Sequence, residues 1–269
     1  MSEAGKLKAV IFDWAGTVVD FGCLAPLDAF QRAFAAFGVP VSIAQARGPM
    51  GLAKRDHILA VGAIPEVAAA WQARRGHAFS EGDADAVLNV FEPINVESVK
   101  AYSDFVPGFL DVLGVLKARG LRVGSTTGYT RPIMAALAPI AAKGGYEPEI
   151  VVCAGDLPAG RPSPLMMWKA MAEMGVWPAR TVVKVDDTAP GVGEGVAAGT
   201  WSIGLALSGN EAGLTVEELA SLSATDKAAL SARARARLKA AGADYVIDTV
   251  AELPAALDAI EARLAVGEA

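Results

Sequence analysis

Residues 8–20 read KAVIFDWAGTVVD, and the reading of this stretch decides the fold. Residues 9–12 form a short apolar run without polar alternation, the pattern of a strand covered on both faces. The run ends on an acid, Asp13, followed by a small turn and a second acid, Asp20. Five further runs are of the same kind: 121–125 (LRVGS), 149–153 (EIVVC), 181–185 (TVVKV), 201–207 (WSIGLAL) and 243–247 (ADYVI). Helical stretches fall between them at 108–120, 130–145, 163–175 and 189–199. In the third of these, Ser163 is the expected N-cap and Pro164 the first helical residue. Strand and helix in alternation predict an α/β fold, a doubly wound parallel sheet.

One interval breaks the alternation. From Gly22 to about Ala101 no strand pattern occurs, and the spacing predicts helices over 25–37, 43–46, 54–62, 65–78 and 83–100. That is too long for a loop. It predicts an α-helical domain, residues 22–100, inserted into a Rossmann-like core made of residues 1–21 and 101–269. Near the C-terminus, 226–242 (DKAALSARARARLKAAG) reads as a basic helix with a solvated face.

Composition narrows the function. The 269 residues are 53% hydrophobic and 20% charged, enough for a sizeable core. A net charge of −6 and a pI near 5.1 argue against a nucleic-acid partner. No run of 18 apolar residues and no signal-peptide pattern occurs, so neither a membrane span nor export is expected. The two cysteines, Cys23 and Cys153, lack metal-ligand spacing, and the pair fits a reducing cytoplasm. Cys153 reads as a buried strand residue and Cys23 as a hinge residue. The two histidines, His57 and His77, cannot build a multi-histidine site. A metal here is expected to be hard and oxygen-bound, such as Mg²⁺.

Ligands of a doubly wound sheet bind at the carboxyl ends of its strands. There the sequence delivers Asp13, then Ser125, Thr126 and Thr127, then Arg161 before a helix start, then Asp186 and Asp187. Carboxylates, hydroxyls and one fixed cation suit Mg²⁺-assisted attack of a carboxylate on phosphorus. Each residue also has a plain structural reading: a turn acid for Asp13, a surface ion pair for Arg161. Side chains alternate along a strand, so only one or two of the three hydroxyls face the site. In the inserted segment, Pro49 and Gly51 fix a turn before a helix that opens near Lys54. The positive helix end disfavours an ammonium and lowers its pKa, which suits an imine-forming lysine. Most helix lysines are simply solvated. His57, three residues on, faces the same side, for proton transfer or for packing.

DWAGT, STTG, GRPSP and VDDT, in this order, resemble the four motifs of the haloacid dehalogenase superfamily. FDWAGTVVDFGC, ARGPMGLAKRDH, GSTTGYTR, PAGRPSP and EGVAAGTWSIG are similar to the phosphonatase family within it. The resemblance spans Lys8 to about Gly209. It implies that the insertion is a helical cap, that Asp13 is a nucleophile forming an aspartyl phosphate, and that Lys54 forms a Schiff base with an aldehyde phosphonate. It further implies Mg²⁺ held by Asp13, the Ala15 backbone carbonyl and Asp187, with Asp186 as a further candidate. Superfamily members carry another acid about four residues after the metal-binding one, where this chain has Gly191. Thr126, Thr127 and Arg161 are the implied phosphoryl-binding residues, with Gly51, Met50, Cys23 and Tyr129 beside the substrate. The family also implies a homodimer through the cap, compatible with the Ala- and Trp-rich segment 64–75, and breakdown of 2-aminoethylphosphonate. A monoester phosphatase, a dehalogenase or a non-catalytic phospho-ligand sensor are the alternatives. Ala15 weighs against the phosphatase, because an ester leaving group profits from an acid at that position.

Overall fold

The computed structural model describes residues 6–267; residues 1–5 and 268–269, the ends of the expected core, lie outside it. Six strands form one parallel sheet: β1 (Ala9–Phe12), β2 (Arg122–Thr127), β3 (Val151–Cys153), β4 (Val182–Asp186), β5 (Trp201–Leu205) and β6 (Tyr245–Ile247). Their order is β3-β2-β1-β4-β5-β6, so the side on which successive strands are added switches between β1 and β4. That switch opens a crevice beyond the carboxyl ends of these two strands. Asp13 follows β1, and Asp186 and Asp187 stand at the end of β4.

The helices in chain order are α1 (Ala25–Ala36), α2 (Ile43–Arg47), α3 (Lys54–Gly62), α4 (Pro65–Arg75), α5 (Glu81–Ala101), α6 (Phe109–Ala118), α7 (Arg131–Lys143), α8 (Leu165–Glu173), α9 (Ala189–Ala198), α10 (Val216–Ser221), α11 (Ala224–Ala240) and α12 (Leu253–Ala265). The alternation of β1 splits the core. Val10 and Phe12 join one apolar cluster with residues of α6, α7 and α12, such as Leu116, Leu137 and Leu257. Ala9 and Ile11 join a second with residues of α8, such as Met167 and Met171. Both faces are therefore covered, which is why the strands read as unbroken apolar runs.

Helices α1 to α5 follow β1 directly, in the interval where no strand was expected. They pack on one another, and α5 also lies against α7. Their interior is aromatic: Phe34, Trp71 and Phe79 meet ring to ring, and Phe30 stacks on Phe91. Two side chains of the 64–75 segment, Val67 and Trp71, are used in this interior. They are not available as an apolar face for a second copy.

Boundaries differ from the sequence expectation for local reasons. α4 stops at Arg75 because Gly76 turns left-handed, and α5 starts at Glu81 because Ser80 and Asp83 form a reciprocal capping box. In α8, Pro164 and not Ser163 occupies the N-cap place; the Ser163 hydroxyl accepts only a long bond, 3.4 Å, from the Leu165 N–H. α10 and α12 were not anticipated. The basic helix α11 is a surface helix, with Arg235 paired to Asp248 and Arg237 to Glu211. No helix among the described residues is long and apolar enough to cross a membrane.

Candidate active site

A cavity with about 290 Å³ of empty space lies at the crevice between the helical insertion and the sheet. Asp13, Ala15, Thr127, Tyr129, Arg161 and Asp187 line it from the sheet side. Cys23, Met50, Gly51 and Lys54 line it from the hinge and the insertion. The approach is close at Gly51, whose φ is +94° and whose absent Cβ would sit 2.3 Å from the Thr188 hydroxyl. Only glycine fits there without pushing the two parts asunder.

Lys54 is the first residue of α3 and is buried at 4% exposure. Its ammonium lies 4.9 Å from the Tyr129 ring centroid, on the cavity wall, and 5.6 Å from that of Phe30 in α1. Its pKa is lowered to about 8. The main cause is burial, not the helix end on which the sequence argument rested. The Tyr129 hydroxyl is buried with no hydrogen-bond partner among the described residues. Burial holds the Cys23 thiol protonated, well above its usual pKa.

Asp13, Asp186 and Asp187 bring carboxylate oxygens within 4.8 Å of one another. Arg161 Nη2 donates to Asp13 Oδ1 at 2.8 Å. Asp187 Oδ2 accepts the Asn210 N–H at 2.7 Å. Burial raises the Asp13 pKa to about 6, and raises that of Asp187 far above the usual range, with the neighbouring carboxylates adding to the rise. Among the described residues, Arg161 and Lys184 pair with Asp13, Asp186 and Glu194, and Asp187 forms no ion pair. A divalent cation would hold the clustered carboxyls in their ionised form, and all-oxygen donors suit Mg²⁺. The residues present therefore fit that ion.

Gly191 explains the missing acid. A Cβ at that position would fall 2.0 Å from the Asp186 carboxylate. Asp186 thus fills the space that a side chain at 191 would need. Thr188 holds it there, donating from its N–H at 3.0 Å and its hydroxyl at 2.7 Å. Replacing Gly191 by alanine is expected to lower stability by roughly 2 kcal/mol through overpacking, measured by urea denaturation. An unchanged midpoint would show that the Asp186 side chain can move aside.

Residue 7 to residue 199 matches the family model of haloacid dehalogenase-like hydrolases. The chain is 52% identical to the phosphonoacetaldehyde hydrolase of Paraburkholderia phytofirmans, over 97% of this chain and 98% of that one. It is 47% identical to the one of Aeromonas hydrophila, covering 97% and 95%. The chain belongs to the phosphonoacetaldehyde hydrolase family. These are hydrolases that act on carbon–phosphorus bonds. A crystal structure of a phosphonoacetaldehyde hydrolase like protein from Oleispira antarctica superposes with a TM-score of 0.97 at 41% identity, covering 98% of this chain and 96% of that one.

Within this phosphonoacetaldehyde hydrolase fold, two expected site residues stand elsewhere, and a third joins the carboxylate cluster without lining the cavity. Thr126 does not reach the cavity. Its hydroxyl donates to Glu194 Oε2 at 2.8 Å and accepts from Lys184 Nζ at 2.7 Å, beneath the site. It is adjacent to Thr127 on β2, and strand alternation allows only one of the two to face the ligand. His57 is also turned away. It is fully buried, stacks on Phe30 with centroids 3.7 Å apart and bonds through Nε2 to the Ala46 carbonyl at 2.8 Å. Burial pushes its pKa down to about 3, which favours a neutral ring in this packed position outside the cavity lining. Asp186 is at the carboxylate cluster but not on the cavity wall; it faces Lys184 at 3.1 Å and Arg161 at 3.4 Å.

Lys184 and Glu194 were missed by the sequence reading. Glu194 Oε2 receives Arg161 Nε at 3.0 Å and Lys184 Nζ at 3.3 Å. It holds the guanidinium that touches Asp13. The available signal was a lysine inside a strand buried on both faces, and a glutamate in a helix of small residues.

Proposed function

We propose that this chain hydrolyses the P–C bond of phosphonoacetaldehyde to acetaldehyde and phosphate, serving 2-aminoethylphosphonate breakdown. The observation that carries this reading is a buried lysine with a lowered pKa in the same small cavity as a strand-end aspartate. In the reading, α1 to α5 are the cap and the sheet with its remaining helices is the core.

Direct attack on a phosphonate would expel a carbanion, a very poor leaving group. Lys54 removes that obstacle. Its free amine adds to the aldehyde carbon and one water leaves, giving an iminium. Tyr129 and Phe30 present ring faces to that positive nitrogen. Asp13 attacks phosphorus, the P–C bond breaks, and its electron pair enters the iminium to give an enamine. Arg161 keeps the attacking carboxylate oriented and balances charge on the phosphoryl oxygens, with Thr127 donating to them. Asp13, Asp187 and the Ala15 carbonyl are the groups assigned to Mg²⁺, which when bound offsets phosphoryl charge. One water cleaves the aspartyl phosphate. The enamine is protonated at carbon, and a second water frees acetaldehyde and Lys54, so one water is consumed overall. Ala15 needs no acidic side chain, because the leaving carbon is activated by Lys54.

The test compares acetaldehyde release from phosphonoacetaldehyde with phosphate release from monoesters. Faster monoester turnover would replace this reading with that of a phosphatase. A pH dependence follows from Lys54. Below about pH 8 its ammonium form dominates and cannot add to the aldehyde; above, the free amine does. The rate of borohydride inactivation in the presence of substrate is expected to rise with pH and level near that value. A flat profile below it counts against the lysine.

A further inference from the structure

Catalysis as proposed needs Lys54 and Asp13 to stay in register although they stand on different parts of the molecule. α2 ends in Arg47, whose guanidinium leaves the helical insertion. Nη1 donates to the Gly22 carbonyl in the hinge at 2.9 Å and lies 3.4 Å from Asn210 Oδ1. Nη2 donates to the Gly213 carbonyl at 3.1 Å. Asn210 Nδ2 returns a bond to the Arg47 carbonyl at 3.5 Å. One planar fork thus joins three segments: α2, the hinge, and the loop 208–213. A lysine point charge cannot span both carbonyls in the same way.

The loop it holds bears directly on the site. The Asn210 N–H is the donor to Asp187 Oδ2 at 2.7 Å. Next to it, the Ser208 hydroxyl donates to the Gly16 carbonyl at 3.0 Å, within the turn that follows Asp13. Arg47 packs so closely that a Cβ on Gly213, at φ +64°, would meet the guanidinium carbon at 2.7 Å. On its far side the loop is tied by Glu211 to Arg237 at 3.2 Å. The loop is therefore gripped from the insertion on one side and from α11 on the other.

We propose that Arg47 is a positioning residue: it latches the insertion over the sheet and, through Asn210, sets the Asp187 carboxylate. The latch rests on the reading of Asp187 as a metal-holding residue of a phosphonatase site. Breaking it loosens the grip on Asp187 even when no substrate is bound. Metal affinity, not activity alone, then reports it.

The experiment uses the full chain as wild type, Arg47→Lys and Arg47→Ala. Mn²⁺ affinity is read by the paramagnetic resonance of free Mn²⁺, loop mobility by hydrogen exchange at residues 209–213, and kcat and KM with phosphonoacetaldehyde. Arg47→Ala is expected to weaken Mn²⁺ binding about tenfold, an ordinary size for coupling between sites. It is also expected to speed exchange at Asn210 and to lower kcat. Arg47→Lys should fall between, keeping the charge and losing the fork. Mn²⁺ affinity and Asn210 protection equal to wild type in both variants overturn the proposal, even if the melting temperature drops. If Arg47→Ala does not fold, Arg47→Lys decides by the same readouts. Failure of the wild type to release acetaldehyde rejects the phosphonatase reading, while the Mn²⁺ and exchange comparison still judges the latch.

Discussion

Lys54→Arg is expected to lower acetaldehyde release by about 10⁴-fold or more, the scale on which loss of a covalent nucleophile is felt. Arginine keeps the positive charge and the length of the side chain, so it is a severe test of the imine. It remains protonated under all working conditions and cannot add to a carbonyl. The rings near the Lys54 nitrogen, those of Tyr129 and Phe30, accept a guanidinium face as they accept an ammonium. Borohydride with substrate should attach an alkyl group to Lys54 of the wild type, located by mass spectrometry of peptides, and none to the variant. Retained acetaldehyde release in folded Lys54→Arg would end the imine mechanism.

Asp13→Asn is expected to cause a loss of similar order, about 10⁴-fold, by a separable route. The amide is nearly the size of the carboxylate but does not attack phosphorus. Lys54 is untouched by the change, so borohydride trapping should continue while phosphate release stops. That dissociation is the informative outcome. If Asp13→Asn abolishes trapping as well, with the protein folded, Asp13 acts before P–C cleavage and the order of steps given above is wrong. Fold is checked by the near-ultraviolet signal of the aromatic residues, among them Trp14, buried next to position 13.

Much of the architecture was legible because it depends on composition over short windows. Buried parallel strands must be apolar on both faces, and the residues that end them face the crevice whatever their neighbours do. Asp13 and Asp187 could be placed by that rule, whereas Arg161, in a loop well past the end of β3, was singled out by its motif. Side-chain direction was less accessible. Thr126 and Thr127 differ only in strand parity, and a shift of one residue in the end of β2 reverses which of them faces the ligand. His57 has the helical spacing from Lys54 that would bring both to one site. Yet Phe30 and the Ala46 carbonyl, supplied by α1 and α2, bury the ring on another side. Lys184, Glu194 and Arg47 have partners far off in sequence, and only a lysine within a buried strand and a glutamate among small residues hint at the first two. Lys54 was singled out by the resemblance of ARGPMGLAKRDH, and the helix start supplied only part of the reason for its lowered pKa; the depth of burial that lowers it is a tertiary property.

The fit of Asp186 against Gly191 couples the two positions. With the carboxylate at 186 in place, a side chain at 191 is accommodated only if that carboxylate gives way. Moving it breaks its bonds from Thr188 and its pairing with Arg161 and Lys184. A change at 191, outside the cavity, is therefore felt by the guanidinium that touches Asp13.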